Sequence, residues 1–321
     1  MTQKILQVLD PSHENWVQGG VFSDLRNSTN AFHPNPVFLP PPNSLQRALQ
    51  GILKARDIAK HKLVLFSSLT PLENYIRYRH SSVDQIIGLW YTHKEGSYTD
   101  REIKALKRAN VIFIHSANES RKISKVTPAL QVEMLAAIDP LRFSRPASIG
   151  SSVVWVGTPV KRKRPELIIE LAKSLPKENF RIIGNGWSKS EYWRAVSSCS
   201  NIQYLEFSGP LTSEQLDGSD IYLMTSEIEG GPMPLMETIA AGLTPICTDT
   251  GFVKQIFRET QITSQLIVEP NIQEITSIIH RIRCKNIVIP NDAREKILRF
   301  DFPRLGTLIQ RNLLQSKSDF R

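Results

Sequence analysis

The stretch SEIEGGPMPLMETIAAGLTPICTDTG, Ser226 to Gly251, places more chemical demand on the chain than any other segment. Gly230 and Gly231 leave the backbone free to bend and to approach a ligand closely. Pro232 and Pro234 stiffen the lead-in to a helix expected to begin near Met233 and continue through Leu235. The first amides of such a helix have no partner inside it and form a site for an anion. Glu229 precedes the helix and Glu237 lies about one turn inside it, on the face pointing back toward the loop, so two carboxylates could frame one ligand. A carboxylate accepts both hydroxyls of a ribose or a sugar. The same residues also read as an ordinary helix start, with Glu229 as a cap and Glu237 on the surface.

A second cluster, Lys161, Arg162, Lys163 and Arg164, sits just ahead of a helix opened by Pro165. The helix dipole disfavours positive charge there unless an anion is close, so an anion is expected nearby. A solvated basic loop or a nucleic-acid patch is the alternative. Gly184 and Gly186 in IIGNGW mark a third strand end, where a plain turn explains them equally well. Open α/β sheets bind ligands at the C-terminal ends of their strands, and the cationic and glycine-rich clusters placed there together describe a diphosphate cradle.

The elements that must position these groups follow from alternating apolar runs and helix-period segments, the pattern of a parallel α/β architecture. SSVVWVG, FRIIG, NIQYLEF, DIYLMTS, TPICT and QLIVE read as strands of the second half, with PELIIELAKSL and PLMETIAAG as helices and Gly242 closing the latter. In the first half KILQVLD, KLVLFSS, QIIGLWY and NVIFIHS read as strands and NSLQRALQGILKARDIAKH as a long amphipathic helix. Residues 31–43 hold five prolines, which forbids a helix or a central strand and predicts an extended surface loop. The Pro, Ser and Gly content of DPLRFSRPASIGSS marks a connector, giving domains at 1–148 and 149–300, and ILRFDFPRLGTLIQRNLLQ predicts an amphipathic helix in the remaining 301–321.

A chain of 321 residues, 40% of them hydrophobic, can build two ordinary cores, which excludes a small stapled scaffold. Cys199, Cys247 and Cys284 have no paired spacing, so neither a disulfide framework nor a zinc site is expected. MTQKILQVLD lacks the basic head and apolar stretch of a secretory signal, and no apolar run is long enough to cross a bilayer. The expectation is a cytoplasmic protein. The net charge of +9 is uneven: residues 1–150 carry 19 basic and 12 acidic side chains, and the remainder 21 and 19. That basic excess in the first half allows peripheral contact with the anionic inner face of a membrane.

The segment EGGPMPLMETIAAG resembles the E-x7-E region of retaining glycosyltransferases of family 4, with Glu229 and Glu237 at the required separation. VGTPVKRKRPELIIELAKSLP, IIGNGW and LEFSGPLTSEQL are similar to further segments of that family, from about Val153 to Phe302. The resemblance implies an α/β fold of two Rossmann-like domains facing across a cleft (GT-B), the first on the acceptor side and the second binding the nucleotide sugar. The C-terminal helix would cross back to the first domain. It implies that Glu229 contacts the donor sugar, Glu237 binds the nucleotide ribose, and Lys163 neutralises the diphosphate with the amides from Gly231 to Leu235, through Pro232, Met233 and Pro234. Gly184 would lie at the family's second glycine turn. Gly19 and Gly20 match its glycine loop after the first strand, and His93 in LWYTHKE stands where the family often has a histidine near the transferring sugar. Thr158 replaces an arginine, so a second phosphate cation must come from Arg162 or Arg164 or be absent.

The resemblance thus implies a hexosyltransferase-type enzyme moving a sugar from a nucleoside-diphosphate sugar to a glycan, lipid-linked or small-molecule acceptor with retention, using no cofactor and no metal. The missing arginine leaves open a catalytically silent sugar-nucleotide-binding or assembly subunit of the same fold. Nucleic acid is not expected as a partner, and the absence of G-x-G-x-x-G after the first strand speaks against a dinucleotide oxidoreductase.

Overall fold

Val- and Ile-rich runs become strands buried on both faces, which is what a parallel sheet flanked by helices demands. A computed structural model of the protein describes residues 4–11, 17–78, 85–148 and 150–316. Residue 149, where the second domain was expected to begin, and residues 317–321 of the expected C-terminal helix segment lie outside these. The chain divides into two units, residues 1–137 with 301–321, and residues 138–300.

The first unit holds strands β1 (Ile5–Leu9), β2 (Val37–Phe38), β3 (Leu63–Phe66), β4 (Ile86–Tyr91), β5 (Val111–Ile114) and β6 (Leu130–Glu133). They lie in the order β2-β1-β3-β4-β5-β6, every neighbouring pair parallel. The second unit holds β7 (Ser152–Val156), β8 (Asn179–Gly184), β9 (Ile202–Glu206), β10 (Ser219–Met224), β11 (Thr244–Thr248) and β12 (Ile267–Val268). Their order is β12-β11-β10-β7-β8-β9, again all parallel. In this sheet the chain winds from β7 outward to β8 and β9, then returns to place β10 on the other side of β7. The gap between β7 and β10 is therefore the topological switch point, where adjacent loops diverge and a crevice opens.

Three expectations need correction. The proline-rich stretch is not wholly loop: Val37 and Phe38 pair with Val8 and Leu9 as the two-residue edge strand β2, the one place in a sheet where neighbouring prolines are tolerated. QLIVE contributes only Ile267 and Val268 to a strand, because Ser264–Leu266 turns as a 3-10 helix capped by Thr263. Gly19 and Gly20 lie in the first turn of the helix Val17–Asn27 rather than in a loop.

The helix Phe302–Gln315 belongs to the first unit. Asp301 caps it, accepting from the Arg304 amide at 2.9 Å. Gly306 lets it approach Thr29, and Leu313 fills the space above Gly88 of β4. Among the described residues no helix is long and apolar enough to cross a membrane.

Candidate functional site

The C-terminal ends of β7 and β10 carry the two clusters singled out above. β7 ends at Val156; Gly157 then adopts φ 155°, and Lys161–Lys163 form a 3-10 turn. Arg164 is left-handed (φ 51°, ψ 57°) and leads into the helix Pro165–Ser174 without a side-chain cap. β10 ends at Met224, and the loop that follows runs to the helix Met233–Ala240.

Hydrogen bonds fasten these two loops together. The Glu227 amide donates to the Arg162 carbonyl at 2.8 Å, and the Thr225 hydroxyl donates to the Lys163 carbonyl at 2.7 Å. The Trp155 indole donates to the same Thr225 oxygen at 2.9 Å. On the far side of the loop, the Thr250 hydroxyl accepts from the Glu229 amide at 2.9 Å and Thr248 donates to the Ser226 carbonyl at 2.6 Å. Gly251, at φ 57°, lies so close to Gly230 and Pro232 that a Cβ there would meet the Gly230 carbonyl oxygen at 2.9 Å.

Within this frame Lys163 Nζ lies 2.7 Å from Glu229 Oε1, and Arg162 reaches the same oxygen at 3.1 Å while donating to the Ile228 carbonyl at 2.8 Å. The Ser226 hydroxyl also donates to Glu229 Oε1, at 2.9 Å. Burial alone would raise the Glu229 pKa; the Lys163 and Arg162 charges and the bonds from Lys163 and Ser226 outweigh it and hold the carboxyl below its ordinary value. The anion expected beside the basic run is thus supplied by the protein itself in this state. Arg164 is turned elsewhere, to Glu166 at 3.1 Å, Glu227 at 3.7 Å and the Pro270 carbonyl at 3.3 Å. Arg162 is consequently the cation that shares a partner with Lys163, and Thr158 is exposed.

Glu237 is neither a cap nor a surface residue. It is 4% exposed, and its Oε1 accepts from the Leu211 amide at 3.1 Å. Burial pushes its carboxyl up to about 7, against the downward pull of the Leu211 amide and the Arg142 charge. Glu229 is not a cap either, since the residue preceding the helix is Pro232 and no side chain bonds to the helix start. Burial pushes the Tyr222 phenol on β10 up, and Cys247, Glu229 and Glu237 add to the effect.

The amide cradle is smaller than expected. Pro232 and Pro234 carry no N–H, and the Leu235 amide is taken by the Pro232 carbonyl at 3.0 Å. Gly231 and Met233 remain as donors with no acceptor among the described residues. Gly184, the last residue of β8, is buried under the end of β7, where a Cβ would overlap the Gly157 carbonyl. That carbonyl accepts from the Trp187 indole at 2.9 Å. Backbone-on-backbone overlap cannot be relieved by a rotamer change, so Gly184→Ala is expected to cost about 3 kcal/mol, near the upper end for overpacking, in urea denaturation of the ligand-free protein.

In the first unit, His93 lies two residues beyond the C-terminal end of β4. His115 is fully buried; burial lowers its pKa to about 4 despite its bond to the Met134 carbonyl, so it is neutral. Sequence reasoning passed over Thr225, Ser226, Thr250 and Arg142. The T-x-T-G pattern ending at Gly251 was the visible sign for Thr250, since it follows the strand next to β10.

Two six-stranded parallel sheets, each with flanking helices, define the fold as that of the GT-B glycosyltransferases. Residues 150–284, which lie within the second unit, match the family described as glycosyl transferases group 1. The chain is 24% identical over 200 residues to the GtfA subunit of UDP-N-acetylglucosamine–peptide N-acetylglucosaminyltransferase from Streptococcus pneumoniae, a match covering 59% of this chain and 39% of that protein. Among solved structures it superposes on sucrose-phosphate synthase from Thermosynechococcus elongatus with a TM-score of 0.71 at 12% identity, over 99% of this chain and all of that one. The lipopolysaccharide outer core galactosyltransferase WaaB, in its apo form, gives 0.66 at 14% identity over 98% of this chain and all of that one.

Proposed function

We propose that the protein is a retaining glycosyltransferase of family 4 that moves a hexosyl group from a nucleoside-diphosphate sugar to a glycan, lipid-linked or small-molecule acceptor. One observation carries the reading: Lys163 and Arg162, on the loop after β7, both meet Glu229, on the loop after β10, at the switch point of the sheet whose residues match the glycosyl transferases group 1 family. The relative whose name specifies UDP-N-acetylglucosamine supports a nucleotide-sugar donor.

Breaking the bond between the anomeric carbon and the diphosphate leaves negative charge on the diphosphate. Lys163 and Arg162 exchange their internal partner Glu229 for that charge, and the two helix-start amides donate to it. Glu229, freed from the pair, accepts from hydroxyls of the donor sugar, and Glu237 accepts from the ribose. The acceptor oxygen bonds to the anomeric carbon on the face the diphosphate leaves, and the acceptor proton passes to the departing phosphate oxygen. Side chains and amides alone carry the charge, with no metal.

Thermal-shift titration against UDP-, GDP- and ADP-sugars tests the donor class. A true donor at about 100 times its dissociation constant stabilises the protein by about 2.7 kcal/mol. With that donor, Lys163→Ala should lower turnover by about 100- to 1,000-fold, the loss typical of one charge-stabilising group. Turnover equal in the wild type, Lys163→Ala and Glu229→Ala defeats the reading.

A further inference from the structure

Three groups converge on one oxygen of Glu229. Lys163 Nζ lies 2.7 Å from Oε1 and an Arg162 guanidinium nitrogen 3.1 Å, and the Ser226 hydroxyl donates to the same oxygen at 2.9 Å. Among the described residues no hydrogen bond ends on the second oxygen, Oε2. The three partners differ in reach. Lys163 and Arg162 arrive on long side chains from the loop after β7, whereas Ser226 stands on the same loop as Glu229, three residues before it. A serine hydroxyl is one carbon from its backbone and moves little further than that backbone does.

The backbone at Ser226 is tied on both sides. The Thr225 hydroxyl donates to the Lys163 carbonyl at 2.7 Å and accepts from the Trp155 indole at 2.9 Å. The Thr248 hydroxyl, at the end of β11, donates to the Ser226 carbonyl at 2.6 Å. All of Thr225, Ser226 and Thr248 are buried, and the Glu229 amide is itself held by Thr250 at 2.9 Å. Both ends of the Ser226–Glu229 bond therefore rest on a frame that stays in place when the cations leave. Once Lys163 and Arg162 turn to a diphosphate, Ser226 is the partner Glu229 keeps. It pins Oε1, which leaves Oε2 to be presented to a ligand.

We propose that Ser226 is a positioning residue for donor-sugar recognition, its hydroxyl fixing Glu229 Oε1 so that Oε2 accepts from hydroxyls of the sugar. This rests on the sugar-transfer reading, in which Glu229 meets the donor sugar. Ser226 takes no part in holding the diphosphate.

Calorimetric titration of the full chain with UDP-, GDP- and ADP-glucose and UDP-N-acetylglucosamine, each beside its own nucleoside diphosphate, tests it. For the nucleotide sugar that the wild type binds, Ser226→Ala weakens affinity at least about tenfold, as expected for losing a hydrogen bond to a charged group, and weakens the matching diphosphate less than about twofold. Ser226→Cys fills the same space with a weak donor and behaves as Ser226→Ala does. A serine that only supports the loop would weaken both ligands together. Equal weakening of the two, an unchanged ratio of their affinities, or full recovery in Ser226→Cys overturns the proposal. Glu229→Gln separates its failure from that of the reading beneath it. If Glu229→Gln lowers the ratio of sugar to diphosphate affinity and Ser226→Ala does not, the positioning role alone falls. If Glu229→Gln leaves that ratio unchanged, or the wild type binds no nucleotide sugar, the contact between Glu229 and the sugar falls and takes the positioning role with it.

Discussion

Lys163→Ala is expected to destabilise the ligand-free protein by about 2–3 kcal/mol at pH 7, well beyond what a surface lysine contributes. The Lys163 and Glu229 side chains are only 16% and 9% exposed and meet at 2.7 Å, so deleting the ammonium strands a buried carboxylate. The cost stays below that of a wholly unpaired buried charge because Arg162 remains at 3.1 Å and Ser226 at 2.9 Å. Adding Glu229→Gln to Lys163→Ala removes the stranded charge and should restore about 2 kcal/mol, read as a coupling energy in a double-mutant cycle by urea denaturation. The pH dependence has a definite sign. Glu229 has a folded pKa below its ordinary 4.5, so the pair contributes stability above the unfolded pKa and loses it as pH falls through the folded one. The wild-type advantage over Lys163→Ala should therefore shrink in acid. Equal stability of the two proteins at pH 7, or strictly additive single and double variants, would show that the ion pair does not hold these loops.

How much of this was legible beforehand differs between the two sheets for a physical reason. In the second unit, strands such as Val153–Trp155 and Ile221–Met224 are buried on both faces, so they stand out as unbroken apolar runs, and the helices between them have clean starts at Pro165 and Pro232. The edge strands defeated pattern reading. Leu130–Glu133 is half exposed, and Val37–Phe38 is two residues among prolines; each is a strand only because a neighbouring strand offers it a ladder. At the site, residue types gave the chemistry but not the state of the groups. Nothing in the spacing of Glu229 and Glu237 distinguishes a carboxylate held ionised by two cations from one buried beside a single amide, because Leu211, Arg142 and Lys163 are remote in sequence. The glycines were legible as constraints and misread as to cause: Gly184 is required by the Gly157 carbonyl, and Gly20 lies in a helix.

The burial of Glu237 leads to the second large effect, a gain of stability on Glu237→Gln. With a folded pKa of about 7 against an ordinary 4.5, the native protein holds a proton that the unfolded chain has released, so stability falls as pH rises from about 4.5 and levels off above 7. Glutamine carries no charge and keeps an oxygen for the Leu211 amide at 3.1 Å. The variant and the wild type should therefore match near pH 4.5 and separate to about 3 kcal/mol by pH 8, the equivalent of about 2.5 pKa units. Urea denaturation across that range checks this, and a separation that is constant with pH sinks the titration account. Under the proposed role the ribose hydroxyls donate to the ionised form. A nucleoside-diphosphate sugar, whose phosphates do not titrate in this range, should then bind about tenfold more tightly at pH 8 than at pH 6, and calorimetry at pH 6 in buffers of different ionisation enthalpy should register about one proton released. In Glu237→Gln both the pH dependence and the proton release disappear. Their persistence would mean that another group titrates, and that the ribose lies away from this carboxylate.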